Sequence, residues 1–156
     1  MEKISDIKTL AEEELTNWLK EVGEKPFRAD QIRNRLFCGQ VKSFNEMETI
    51  PAALREKLSA NFRITSLEEA KRLISVDGTV KWLYQTHDGH HIETVLIPTN
   101  DRFSVCVSTQ IGCAQNCAFC ITAKMGFIRN LEAGEILEEI IRVNWYLEET
   151  GTKHSD

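Results

Sequence analysis

Three closely spaced cysteines hold the chemistry of this chain. The stretch Cys113-Ala-Gln-Asn-Cys117-Ala-Phe-Cys120 is a C-x3-C-x2-C pattern set between an apolar run and a helix start. Such spacings on one short loop can turn three sulfurs toward a common centre, as a soft metal or an iron–sulfur cluster requires. A cubane cluster has four irons, so a loop giving three ligands leaves one iron open to a ligand from outside the protein. Phe119, just before the last cysteine, is expected to cover such a centre with an apolar wall. The alternative is structural zinc, which needs a fourth ligand in tetrahedral geometry. Cys106 and the group His87, His90 and His91 are the nearby candidates for it. A ferredoxin-type electron carrier fits less well, because the loop offers three close thiols and not four.

The elements that must position this loop can be read from periodicity. Residues 9–22 are expected to form an amphipathic helix, with Thr9 as N-cap, Glu12 in a capping box, and Leu10, Leu15, Trp18, Leu19 and Val22 near one face. Gly23 ends it, and a second helix is expected from Ala29 to Cys38, with Cys38 itself in the core. A short helix over Ser43–Met47 and a further one opened by Pro51 and carrying Leu54 and Leu58 complete an all-helical first unit. From Ile64 the period changes to two. Ala70–Val76, Thr79–Thr86 and His90–Ile97 read as an antiparallel meander, with a two-residue type I′ turn at Asp77-Gly78 and a second turn at His87-Asp-Gly89. Phe103–Thr109, dense in β-branched residues, reads as a buried parallel strand. The cysteine loop follows its carboxyl end. Asn130 then caps a long helix, Leu131–Glu149, whose buried side is Ile136, Ile140, Ile141 and Leu147.

The fold class predicted is α+β passing into α/β: residues 1–63 a small helical unit, 64–101 an antiparallel β-meander, 102–156 the first βα unit of an incomplete (β/α) barrel. The chain has 156 residues, 42% of them hydrophobic and 28% charged, enough for a packed core and a polar surface. No run approaches the ~20 apolar residues of a membrane span. The start is not a secretory signal. Five cysteines, three in one loop, argue for ligands in a reducing compartment, hence the cytoplasm, over a disulfide framework. The net charge of −5 is unusual for a protein that grips nucleic acid, but charge is segregated. Acidic residues gather at 11–14 and 132–149. Basic ones gather at Lys25, Arg28, Arg33, Arg35, Arg55, Lys57, Arg63, Lys71 and Arg72.

The cysteine pattern with an aromatic before its last member resembles the signature of radical S-adenosylmethionine enzymes. A longer series narrows the resemblance: Gly23-Glu-Lys-Pro-Phe-Arg-Ala29, Asp77-Gly-Thr-Val-Lys-Trp82, Ile92-Glu-Thr-Val95, Cys106-Val-Ser-Thr-Gln-Ile-Gly-Cys113 and Gly126-Phe-Ile-Arg-Asn-Leu131. Together these resemble the bacterial ribosomal RNA adenine-C2 methyltransferases, RlmN and its C8-methylating relative Cfr. The resemblance implies that Cys113, Cys117 and Cys120 hold a [4Fe–4S] cluster whose open iron binds S-adenosylmethionine, with Phe119 beside the cofactor. It implies that Glu93 is a general base and that Cys106 is one of two catalytic cysteines. The other, C-terminal one is methylated, and Cys106 resolves the resulting protein–RNA adduct by forming a disulfide with it. Adenine C2 is electrophilic, which rules out ordinary methyl transfer from a sulfonium and makes radical chemistry the reasonable route.

The partners so implied are 23S rRNA, with tRNA as a further candidate, and an external reductant of the flavodoxin type, with no membrane and a monomeric full-length enzyme. Lys25, Phe27 and Arg28, mixing charge with a stacking ring, are the first choice for RNA contact. A barrel needs on the order of 200 residues after the cysteine loop. The chain is therefore read as truncated and not competent for turnover by itself. A stand-alone RNA-binding or metal-binding fragment is the alternative.

Overall fold

The computed structural model describes residues 5–39, 41–100, 102–115 and 117–151. The chain divides into two compact units, one ending at Thr65 and one beginning at Ser66.

In the first unit, a two-residue strand β1 (Ser5–Asp6) leads through a single 3-10 turn into α1 (Glu12–Glu21), α2 (Arg28–Phe37), a second 3-10 turn at Phe44–Glu46, and α3 (Ala52–Asn61). The chain then returns in β2 (Phe62–Arg63), which pairs in parallel with β1. The unit is thus not wholly helical. Its two ends are stitched by a polar pair as well. Asp6, 5% exposed, accepts from the Lys8 amide at 2.9 Å and the Thr65 amide at 3.1 Å, while Lys8 Nζ donates to Thr65 O at 2.7 Å. The core is Ile7, Leu15, Leu19, Ile32, Leu36, Met47, Leu54 and Leu58. Thr9 does not cap α1. Its hydroxyl turns back to donate to Asp6 O, and α1 begins after Ala11, whose amide donates to Glu14 at 2.8 Å. Cys38, expected in the core, is exposed, because α2 ends at Phe37 and the helix face has already turned to solvent.

The second unit is built on a four-stranded antiparallel sheet, β3 (Glu68–Ile74), β4 (Val80–Gln85), β5 (His91–Pro98) and β6 (Phe103–Cys106), in that order. The β3–β4 and β4–β5 hairpins share one design. Gly78 donates to Ser75 O and Gly89 to Thr86 O, and each glycine has a φ near +80°, so both loops are three-residue turns closed by a left-handed residue. The two-residue turn expected at Asp77-Gly78 is therefore longer, with Asp77 Oδ1 accepting from the Thr79 amide at 3.0 Å. Alternation on β4 and β5 sends Val80, Trp82, Tyr84, Ile92, Thr94 and Leu96 to the buried face.

The strand expected as buried and parallel over Phe103–Thr109 stops at Cys106, runs antiparallel to β5 and is mostly exposed. Among the described residues β6 is a sheet edge, and Val105, its β-branched residue, has no neighbouring strand on one side. After it come β7 (Gln110–Gly112), the cysteine loop, a single-turn helix α4 (Ile121–Lys124), β8 (Phe127–Asn130) and α5 (Ala133–Glu149). Asn130 ends β8 rather than capping α5, and Glu132 is the N-cap.

α5 packs on the sheet through Val143, with Ile136, Tyr146 and Leu147 beside it; Trp82 meets Tyr146 edge-on at 5.2 Å. Ile140 is 39% exposed, contrary to the apolar pattern. Three glutamates take the buried positions instead. Glu135, Glu138 and Glu139 are each 1% exposed or less. None of the helices among the described residues is long and apolar enough to cross a membrane.

Candidate functional site on the open sheet face and cysteine loop

Because successive residues of a strand point to opposite faces, Glu93 stands on the solvent side of β5 while Ile92 and Thr94 face α5. The register pairs Val95 with Cys106 and Leu83 with Glu93. Cys106 is exposed and lies on the same face as Glu93, one diagonal step away, a relationship that spans about 7–8 Å between cross-strand neighbours. Lys81 reaches across from β4 to Glu93, Nζ to Oε1 2.6 Å. Lys71, Leu73, Lys81, Leu83 and Glu93 line a shallow depression of about 200 Å³ on this face. A carboxylate, two ammonium groups, two leucines and a thiol are therefore gathered on one open surface. That surface can accept a proton, hold an anionic or planar polar ligand, and offer a sulfur to it.

The cysteine loop is closed at its base by the β7–β8 hairpin, where Gly112 pairs with Phe127. Cys113 donates its amide to Gly126 O at 3.0 Å, and Cys120 donates to Cys117 O at 3.2 Å. Gly112 has φ +73°, and a Cβ there would come within 1.7 Å of Gly126 O, so no other residue fits this approach. All three cysteines are half-buried. Among the described residues no three Cys, His, Asp or Glu side chains stand close enough together to hold one ion. The three thiols are neighbours along one loop. As a donor set they still fit an iron–sulfur cluster: soft ligands, closely spaced, on a loop open to solvent. Phe119 is 92% exposed, and Ile121, Met125, Phe127 and Ile128 add further exposed apolar surface around the loop.

Two arginines that the sequence reading passed over fix this region. Arg129 on β8 grips Glu135 with two nitrogens at 2.8 and 2.9 Å and turns its Nε to Asp88 at 2.7 Å, joining β8 and α5 to the β4–β5 turn. The Arg129 guanidinium and the Thr86 hydroxyl hold Asp88 well below the usual carboxylate range. For Glu135, burial pushes its carboxyl up, but Arg129 and the Glu132 amide outweigh it and leave the carboxyl lowered. Arg142 bonds Glu138 at 2.8 Å and donates to Leu67 O at 2.7 Å. The Glu138–Arg142 pair is an i,i+4 spacing along α5 that sequence alone could have flagged, whereas Arg129 meets Asp88 and Glu135 only once the sheet is folded.

In the first unit, Lys25 and Phe27 are exposed and the Arg28 guanidinium lies over the Phe27 ring, 4.9 Å from its centroid, beside the start of α2. Other basic side chains there are engaged in the fold: Arg55 donates to Asn45 O and Lys57 to Val22 O.

Residues 5–64 match the family profile of the ribosomal RNA large subunit methyltransferase N-terminal domain. Over 94% of its length the chain is 46% identical to the dual-specificity RNA methyltransferase RlmN of Anaeromyxobacter dehalogenans, of which it covers 39%. The chain resembles the N-terminal part of the RlmN-type methyltransferases. A probable RlmN from Bacillus velezensis is 48% identical over 92% of the chain, again with 39% of the relative covered. The crystal structure of a radical SAM methyltransferase from Sphaerobacter thermophilus aligns with a TM-score of 0.84 at 35% identity, over 97% of this chain and 45% of that one. The chain therefore spans about two-fifths of the length of the RlmN relatives it matches.

Proposed function

We propose that this chain supplies the helical unit, the sheet and the cysteine loop of a radical S-adenosylmethionine enzyme that methylates C2 of adenine in 23S rRNA and tRNA. In this reading the second unit opens a (β/α) barrel, with β7, the loop and the following helices at its start. Cys113, Cys117 and Cys120 would hold a [4Fe–4S] cluster, with Phe119 against the cofactor. When bound, the cluster and S-adenosylmethionine supply a carbon-centred radical, the means of attacking a carbon that is not nucleophilic.

The chain's own residues do the rest. Glu93 accepts the proton that adenine C2 must lose once a new carbon–carbon bond has formed there. Lys81 holds that carboxylate in one orientation on the open face. Cys106 offers its thiol beside the same spot, to release the product by disulfide formation with a second cysteine. Lys25, Phe27 and Arg28 grip folded RNA, the ring by stacking and the cations through phosphate. The observation that supports this most is the shared face of Glu93 and Cys106, two residues the family resemblance assigns to one reaction and that lie diagonally on adjacent strands.

Anaerobic reconstitution with iron and sulfide tests the cluster. About four irons and four sulfides per chain are expected, with loss of the brown chromophore in Cys117→Ala and retention in Cys106→Ala. Equal loss in both variants would make Cys106 a ligand and remove it from the proposed chemistry.

A further inference from the structure

Glu139 has no role in the reading above, yet it is fully buried beneath the residues that matter to it. Its Oε2 accepts two hydrogen bonds, from the Thr94 hydroxyl at 2.5 Å and from the Ser108 amide at 3.0 Å; its Oε1, also buried, has no hydrogen-bond partner. Ser108 in turn grips β5 from its side chain. Its hydroxyl donates to Glu93 O at 2.9 Å and accepts from the Glu93 amide at 3.3 Å. The β5–β6 ladder ends at Cys106. Beyond that point the connection toward β7 is tied to β5 by these side-chain bonds, and the carboxyl that anchors them comes from α5.

We infer that Glu139 is a positioning residue which, from the buried side of the sheet, holds Ser108 and through it keeps Cys106 in register beside Glu93. The inference takes the importance of Cys106 and Glu93 from the proposed function, but the clamp itself is a property of the chain.

The same geometry makes the clamp sensitive to protons. Burial, opposed by the two hydrogen bonds and aided by the Glu135 carboxylate one turn earlier, pushes Glu139 up to about 7. From β5 and the 107–109 connection it faces the Thr94 hydroxyl and the Ser108 amide, neither of which titrates in this range. On α5 its charged neighbours Glu135 and Glu138 are engaged with Arg129 and Arg142. When Glu139 is neutral the clamp buries no charge; when it ionises, an oxygen without a donor becomes part of a buried anion. In the opened state the carboxyl returns toward its ordinary 4.5. Opening therefore becomes easier as pH rises between these two values and levels off above the higher one.

Amide hydrogen exchange on the intact chain, corrected for intrinsic rates, reads this directly. Protection of the Ser108 amide is expected to fall about tenfold per pH unit from pH 5 to 7 and then flatten, with the Cys106 and Glu93 amides following it. In Glu139→Gln, which keeps an acceptor but cannot ionise, the profile is expected to be flat. Glu139→Ala is expected to lose at least about tenfold protection at every pH. A native profile as flat as that of the glutamine variant overturns the proton sensitivity, and Ser108 responding without Cys106 and Glu93 overturns the positioning. If Glu139→Ala does not fold, the native and glutamine profiles decide. Iron loading on the cysteine loop, measured on the same samples, reports on the methyltransferase reading separately, so failure of either idea leaves the other's readout intact.

Discussion

Replacing Arg129 by Met tests whether the Arg129–Glu135–Asp88 network holds the cysteine hairpin to the rest of its unit. Glu135 is 1% exposed, and two of the hydrogen bonds to its carboxylate come from Arg129. Removing one partner of a buried pair leaves an uncompensated charge and costs about 3–5 kcal/mol. The guanidinium is 27% exposed, so water can partly replace it and the lower end, about 3 kcal/mol, applies. For a unit of this size that corresponds to a fall in Tm on the order of 10–20 °C. Urea unfolding followed by fluorescence in a Trp18→Phe background reads the second unit through Trp82 and Trp145. The double variant Arg129→Met, Glu135→Gln is expected to recover much of the loss, because the stranded anion is gone.

The pH dependence carries its own sign. The Glu135 and Asp88 carboxyls are lowered in the folded chain, so their contribution is present above the ordinary carboxylate range and drains away as pH falls below it. The arginine variant should show a shallower acid slope than the native chain. A loss under about 1 kcal/mol, or a double variant no more stable than the single one, would refute the reasoning.

Gly112→Ala is expected to prise the β7–β8 hairpin apart and cost more than about 1–3 kcal/mol, with iron loading of the loop lost alongside; urea unfolding and iron analysis check it. Phe27→Ala should weaken RNA binding by about 1–3 kcal/mol if the ring stacks on a base. It should leave the Tm nearly unchanged, since the ring is 48% exposed; filter binding at two salt concentrations measures the first part. Lys81→Met breaks an ion pair whose side chains are 44% and 54% exposed, so fold stability should shift by less than about 1 kcal/mol. Denaturation midpoints test that.

The parts of the fold that were legible in the sequence are those whose information is local. Alternation on Val80–Gln85 and His91–Pro98 survives because both strands have one wet and one dry side. Pro51 and the glycines after α1 and α2 mark ends that depend only on backbone geometry. What misled is non-local. Phe103-Ser-Val-Cys106 has the composition of a buried strand, yet a strand's burial is set by its neighbours, and among the described residues β6 has one on a single side. On α5 an apolar count chose Ile140, whereas Glu135, Glu138 and Glu139 face inward because partners satisfy them there: Arg142, one turn along the same helix, for Glu138, and Arg129, Thr94 and Ser108 from other elements for Glu135 and Glu139. The candidate site divides in the same way. The spacing of Cys113, Cys117 and Cys120 is plain on paper, while the company Glu93 keeps with Lys81 and Cys106 depends on cross-strand register.

That register has a consequence for how the protein can vary. On β5 the residue offered to a ligand and the residue tied to the helix beneath are consecutive, Glu93 above and Thr94 below. Inserting or deleting one amino acid just before Ile92 would turn the rest of the strand over, sending Glu93 into the hydrophobic interior and Ile92 and Leu96 into water. The upper surface of this strand is thus free to change its chemistry by substitution, while its length is held fixed by what lies underneath.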